Sequence, residues 1–151
     1  MSELKQGTWV IVADGEKALI FRNLTDHENP NFELLEEIEQ DNPPNRDQKT
    51  HKAGRMQDTG VQQRSAVEDT DFHRLEQDRF AADLAEKLYE RVHSGAFEHL
   101  VLVAAPAILG EMREKMHQEV EKRIVFEIPK TLTNHPPPKI EKIVKAEMDG
   151  A

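Results

Sequence analysis

The chain has 151 residues, 37% hydrophobic and 32% charged, with 20 Lys and Arg against 29 Asp and Glu for a net charge of −9. That length is one ordinary domain with a core of its own, and the polar balance predicts a small core with solvated segments. The lack of cysteine excludes a disulfide scaffold, a thiolate metal site and a cysteine nucleophile, and the acidity excludes attraction of the whole surface to nucleic acid or anionic membrane.

The first stretch, MSELKQGTW, carries no apolar signal segment. Leu100 to Leu109 is the longest nearly apolar run, too short for a bilayer and divided by Pro106. A cytoplasmic protein without a membrane partner is therefore expected. Thr8 to Asp14 is rich in β-branched and aromatic residues and apolar on both faces, which predicts an inner strand with Trp9 buried. Asp14-Gly15 then separates it from Lys17 to Asn23. That dipeptide between apolar runs predicts a hairpin, with Gly relieving a positive φ. Thr25 to Asn31 reads as a loop, and Phe32 to Gln40 alternates like a half-buried strand, with a short helix as the alternative.

Pattern is lost from Asp41 to about Asp69, where Met56, Val61 and Val67 are the sizeable apolar residues. A mobile loop over about 41–70 is expected, functional or disordered. Phe72, Leu75, Phe80, Leu84, Leu88 and Val92 then form one stripe, which predicts a helix from Asp71, as N-cap, to His93, stopped by Ser94-Gly95. Phe97 to Ala104 reads as a buried strand and Pro106 as the first residue of another helix, with Ile108, Leu109, Met112 and Met116 inside. Ile124 to Ile128 is a further strand. After Pro136-Pro137-Pro138, Ile140, Ile143 and Val144 mark a C-terminal helix.

Three hairpin-linked strands followed by two αβ units predict a single α/β domain over 1–151. Its sheet is mixed and five-stranded, in order 3-2-1-4-5 with strand 2 antiparallel and helices on both faces, since crossovers are right-handed. This is the ribonuclease H-like topology.

Five stretches together resemble one family: WVIVADGEKALIF at Trp9 to Phe21, Gly54-Arg55, DFHRLEQDRFAADLAEKL at Asp71 to Leu88, FEHLVLVAAPAILGEMR at Phe97 to Arg113, and EIPKTLTNHP at Glu127 to Pro136. They look like the bacterial host attachment protein family. That family is similar in turn to the middle domain of archaeal and eukaryotic class I peptide-chain release factors. The resemblance implies the same topology, a bacterial source, and a connection with translation or with attachment to host cells. The chain departs from it at Pro129-Lys130-Thr131-Leu132, where an acidic residue is expected before Leu.

A ribonuclease H-like sheet invites a metal-dependent nuclease, which needs converging carboxylates. Asp14 ends the first strand, but Asp is common in turns for structural reasons, and the fourth strand ends in Ala104-Ala105-Pro106. Release-factor middle domains carry Gly-Gly-Gln before their long helix, to orient a water at the peptidyl-tRNA ester. This chain has no Gly-Gly pair. Its nearest approach is Gly60-Val61-Gln62, placed in the loop, and Val is barred from the conformations Gly reaches. Pelota-type rescue factors, similar and lacking Gly-Gly-Gln, bind stalled ribosomes without cutting the ester. The seven His, including His73 near the expected helix start, form no zinc pattern, and no Gly-rich phosphate motif precedes a helix. No catalytic residue, metal ligand or cofactor is assigned.

The sharp feature is a charge segregation. Asn45 to Arg64 holds five positive side chains, Arg46, Lys49, Lys52, Arg55 and Arg64, against Asp47 and Asp58; that is +3, leaving −12 for the rest of a chain of net −9. Such a segment on an acidic body suits RNA phosphates, and Arg46, Lys49, Lys52, Gly54, Arg55, Gln62 and Arg64 are the candidate RNA- or ribosome-binding residues. Three readings stay open: a non-enzymatic translation- or RNA-associated factor, a protein-interaction module, and a hydrolase of peptidyl-tRNA or RNA. The oligomeric state is not legible.

Overall fold

A computed structural model describes residues 3–40 and 59–151, with side chains in the first helix from Arg74 onward. The described elements are β1 (Trp9–Ala13), β2 (Lys17–Asn23), β3 (Phe32–Glu39), α1 (Thr59–His93), β4 (Leu100–Val103), α2 (Pro106–Lys115), α3 (Gln118–Glu121), β5 (Ile124–Ile128) and α4 (Pro137–Asp149). The sheet has the order β3-β2-β1-β4-β5. β1 is antiparallel to β2, with Ile11 opposite Ile20, and parallel to β4, with Ile11 beside Leu102. β5 is parallel to β4 and β3 antiparallel to β2. This is the expected α/β architecture and strand order.

Every residue of β1 is buried because helices cover both faces of the strand. Trp9, Ile11 and Ala13 face a core shared with Phe80, Leu84, Leu88 and Val92 of α1 and Leu109 and Met112 of α2. Val10 and Val12 face the second core, with Val101, Val103 and Ile128 and with Ile140, Val144 and Met148 of α4. Trp9 is 5% exposed. Its ring lies 4.8 Å from that of Phe97, while its indole Nε1 has no hydrogen-bond partner among the described residues. Pro106 opens α2, and Pro137 and Pro138 stand in the first turn of α4, positions where a missing N–H costs nothing.

Four expectations are corrected. First, α1 begins at Thr59, not Asp71, so Asp71 lies inside the helix and residues 59–70 are helical rather than loop. Gln62, Gln63, Arg64, Ala66 and Glu68 have good helix propensity without an apolar stripe. Second, Leu75 is 63% exposed rather than part of the stripe, and Glu76 is the first buried residue among the described side chains of α1. Third, Gly15 has no positive φ; among the described residues that conformation belongs to Gly7 and Gly95. Fourth, a short helix, α3, follows α2, with His117 Nδ1 accepting the N–H of Glu119 at 3.2 Å. Ser94-Gly95 does end α1: Gly95 at φ +75 lets Ala96 donate to Arg91 O at 2.9 Å and Gly95 to Val92 O at 3.0 Å. No helix among the described residues is long and apolar enough to cross a membrane.

Candidate functional site

A group of polar contacts lies at the rim where β1 ends. Asp14 donates its N–H to Lys17 O at 2.9 Å. Its Oδ1 accepts the N–H groups of Glu16 and Lys17 at 2.7 and 2.8 Å, and its Oδ2 accepts the buried Thr133 hydroxyl at 2.8 Å. Both carboxylate oxygens therefore hold the turn and tie it to the connection between β5 and α4. Gly15 is constrained by proximity and not by φ: a Cβ there would stand 2.7 Å from Gln77 Nε2 on α1, whose side chain would have to shift.

The chain leaves β3 beside this turn. Gln40 donates its backbone N–H to Glu16 O at 2.7 Å, and its side chain donates to Glu76 O and Oε2 at 2.8 and 2.6 Å. Glu76 is a buried carboxylate, with Arg79 3.3 Å from its other oxygen. A polar recess is lined by Asp14, Glu16, Lys17, Glu39, Gln40 and Asn134. Three carboxylates against one ammonium give it negative character, so it repels phosphate. No group of three His, Asp or Glu among the described residues is placed to hold a metal ion.

Arg46, Lys49, Lys52, Gly54 and Arg55 lie outside the described residues. Gln62 and Arg64 sit on the first turns of α1, their side chains not described, as is that of His73, which lies far inside the helix. Gly60-Val61-Gln62 is helical and not in a loop. The rim gathers four residues that the sequence reading did not single out: Gln40, Glu76, Gln77 and Thr133. Their contacts join positions far apart in the chain, and nothing local marks them. Gln40 stands at this rim, and Thr59 opens α1. From there α1 runs 17 residues before Glu76, about 25 Å of helix.

The model of the bacterial archaeo-eukaryotic release factor family 12 matches residues 7–144. That description makes no reference to host attachment, a name that rests on the sequence resemblance alone. No curated protein matches the chain. Among solved structures, an archaeal translation termination factor, aRF1, is similar with a TM-score of 0.46 and 10% identity over 95% of this chain. The chain spans 39% of that factor's length.

Proposed function

The chain belongs to the bacterial archaeo-eukaryotic release factor family 12, and from that premise we propose that it is a cytoplasmic, non-enzymatic translation-associated factor that contacts ribosomal RNA through Arg46, Lys49, Lys52, Gly54, Arg55, Gln62 and Arg64. The carrying observation is the charge segregation, +3 in Asn45 to Arg64 on a chain of net −9. The negative rim sharpens it. Phosphate is repelled at Asp14, Glu16 and Glu39 and attracted to the basic segment that follows Gln40 in the chain. Arg55 is the best single contact, since Gly54 lets the backbone approach a phosphate and the guanidinium grips two oxygens.

Hydrolysis is less favoured. The helical setting of Gly60-Val61-Gln62 supplies no loop to orient a water, and Asp14 is engaged through both oxygens. A protein-interaction role has one separate feature in its favour, the outer edge of β3. The link to host cells enters only through the sequence resemblance.

The test is sedimentation with ribosomes across a salt series. The wild-type chain is expected to co-sediment at low salt and to be released as salt rises. Each phosphate contact removed lowers the salt slope by about 0.7–0.9. Changing Lys49, Lys52 and Arg55 together to Glu reverses the segment's charge and is expected to abolish association while leaving the melting temperature nearly unchanged, since the role proposed for these charges is binding and not folding. Unchanged association of the triple variant, or none of the wild-type chain at low salt, overturns the proposal.

A further inference from the structure

β3 is an outer strand of the sheet, and its pairing phase shows which backbone groups face away from β2. Gln40 donates to Glu16 O, and Asn31 O accepts from Leu24 at 2.8 Å, so both residues point inward. Alternation then turns Phe32 and Leu34 outward, and, past the bulge that skips Leu35, Glu37 and Glu39. The Phe32 N–H is taken by Glu141 Oε2 of α4 at 2.8 Å. No hydrogen bond among the described residues occupies the outward groups of Leu34, Glu37 and Glu39.

The side chains along this edge set what fits it. Leu34 and Leu35 are 47% and 38% exposed. The strand carries Glu33, Glu36, Glu37 and Glu39 and no Lys, Arg or Pro. Glu33 pairs with Arg22 at 2.7 Å, and Glu36 with Lys87 and Arg91 of α1. Glu37 and Glu39 are exposed and have no ion pair among the described residues. Proteins blunt such edges with charged side chains, Pro, bulges or very short strands; here the strand is eight residues long, and its devices are one bulge and four Glu, which disfavour a neutral or acidic strand but not a basic one. A second copy of β3 would set Glu against Glu, which is destabilising. A strand of opposite charge meets no such penalty.

We infer that the edge from Leu34 to Glu39 binds an extended, Lys- or Arg-bearing segment of a protein partner by strand addition. Backbone bonds form at Leu34, Glu37 and Glu39. An apolar side chain lies over Leu34, and cations lie over Glu37 and Glu39. This inference is independent of the basic segment and of ribosome association.

The experiment uses the full chain and two labelled peptides of equal charge, one alternating Lys with Val and the other Lys with Pro, read by fluorescence anisotropy and amide exchange. The Lys–Val peptide is expected to bind and to slow exchange at Leu34, Glu37 and Glu39. The Lys–Pro peptide, unable to donate along a ladder, is expected to bind at least about tenfold more weakly. Glu37→Pro removes only an outward N–H from the edge, which an edge strand tolerates, and should weaken Lys–Val binding about tenfold with the circular dichroism spectrum retained. Glu37→Gln with Glu39→Gln should flatten the salt dependence and keep the exchange protection. Equal binding of both peptides would overturn the inference. So would protection of those amides in the free chain, which would mean cover by its own residues, or protection that rises with protein concentration, which would mean cover by a second copy.

Discussion

Gly95 and Gly15 are constrained by different physics, and single substitutions separate them. Gly95 has φ +75, and a Cβ there would meet nothing within 4 Å, so its requirement is backbone conformation alone. Gly95→Ala is expected to cost about 1 kcal/mol in urea denaturation, with Gly95→Asn milder, because Asn tolerates the left-handed region. Gly15 has ordinary backbone, and its constraint is the Gln77 side chain lying across it. Gly15→Ala restricts the unfolded chain, which stabilises by roughly 0.4–1 kcal/mol, against displacement of Gln77. It should therefore be near neutral alone and stabilising in a Gln77→Ala background. Destabilisation that persists in that background would show that the turn, not Gln77, needs Gly. The Asp-Gly pair in the sequence identifies the turn correctly. The reason for its Gly was not legible, because Gln77 is brought there only by the tertiary packing of α1.

At the level of elements, legibility followed burial. The strands of the sheet and the helices α2 and α4 carry apolar patterns that mark them within a few residues, whereas the four-residue α3 is too short to show one. The twelve residues at the start of α1, 59–70, carry helix-forming side chains but no stripe, so the sequence shows a stop in amphipathicity where the helix itself continues. The candidate binding residues were legible only as a charge excess, which says nothing of where a segment sits. One long-range link between elements yields a pH prediction. The loop after β2 is tied to α4 through His27: Leu4 donates its N–H to Nδ1 at 3.1 Å, so Nε2 carries the ring proton and faces Asp149 Oδ1 at 2.6 Å. Lys145, bonded at 2.7 Å, and then His27 hold the Asp149 carboxyl below its ordinary range. A carboxyl depressed in the folded state contributes stability that is present above its unfolded pKa and lost as pH falls through its folded value. Melting temperatures of the wild-type chain and Asp149→Asn are therefore expected to differ at neutral pH and to converge as pH falls below about 4. A constant offset down to pH about 2 would show that the carboxylate's charge is not what matters.

The whole molecule is two cores divided by one sheet, and β1 contributes alternate residues to both. Among the described residues, α1 closes one side with six buried apolar residues and α2 with Leu109 and Met112, whereas α4 supplies the helical cover on the other, through Ile140, Val144 and Met148. α4 is also fixed to the opposite edge of the sheet, where Glu141 takes the Phe32 N–H. Loss of its packing should thus be felt across the sheet and not only at the C-terminus. Ile140 is fully buried, and Ile140→Ala is expected to cost about 2–5 kcal/mol, a transfer loss plus a cavity beneath the helix. Replacement of Val144 by Asp places a charge in the core that also holds Val10, Val12 and Val103 and should expose that face, with dye binding and self-association following. Because β1 is shared, both variants should lower the Trp9 fluorescence transition and the far-ultraviolet transition together, although Trp9 lies on the other face. If the Trp9 transition stayed at the wild-type denaturant concentration while helix signal was lost earlier, the two cores would unfold separately and the sheet would not couple them.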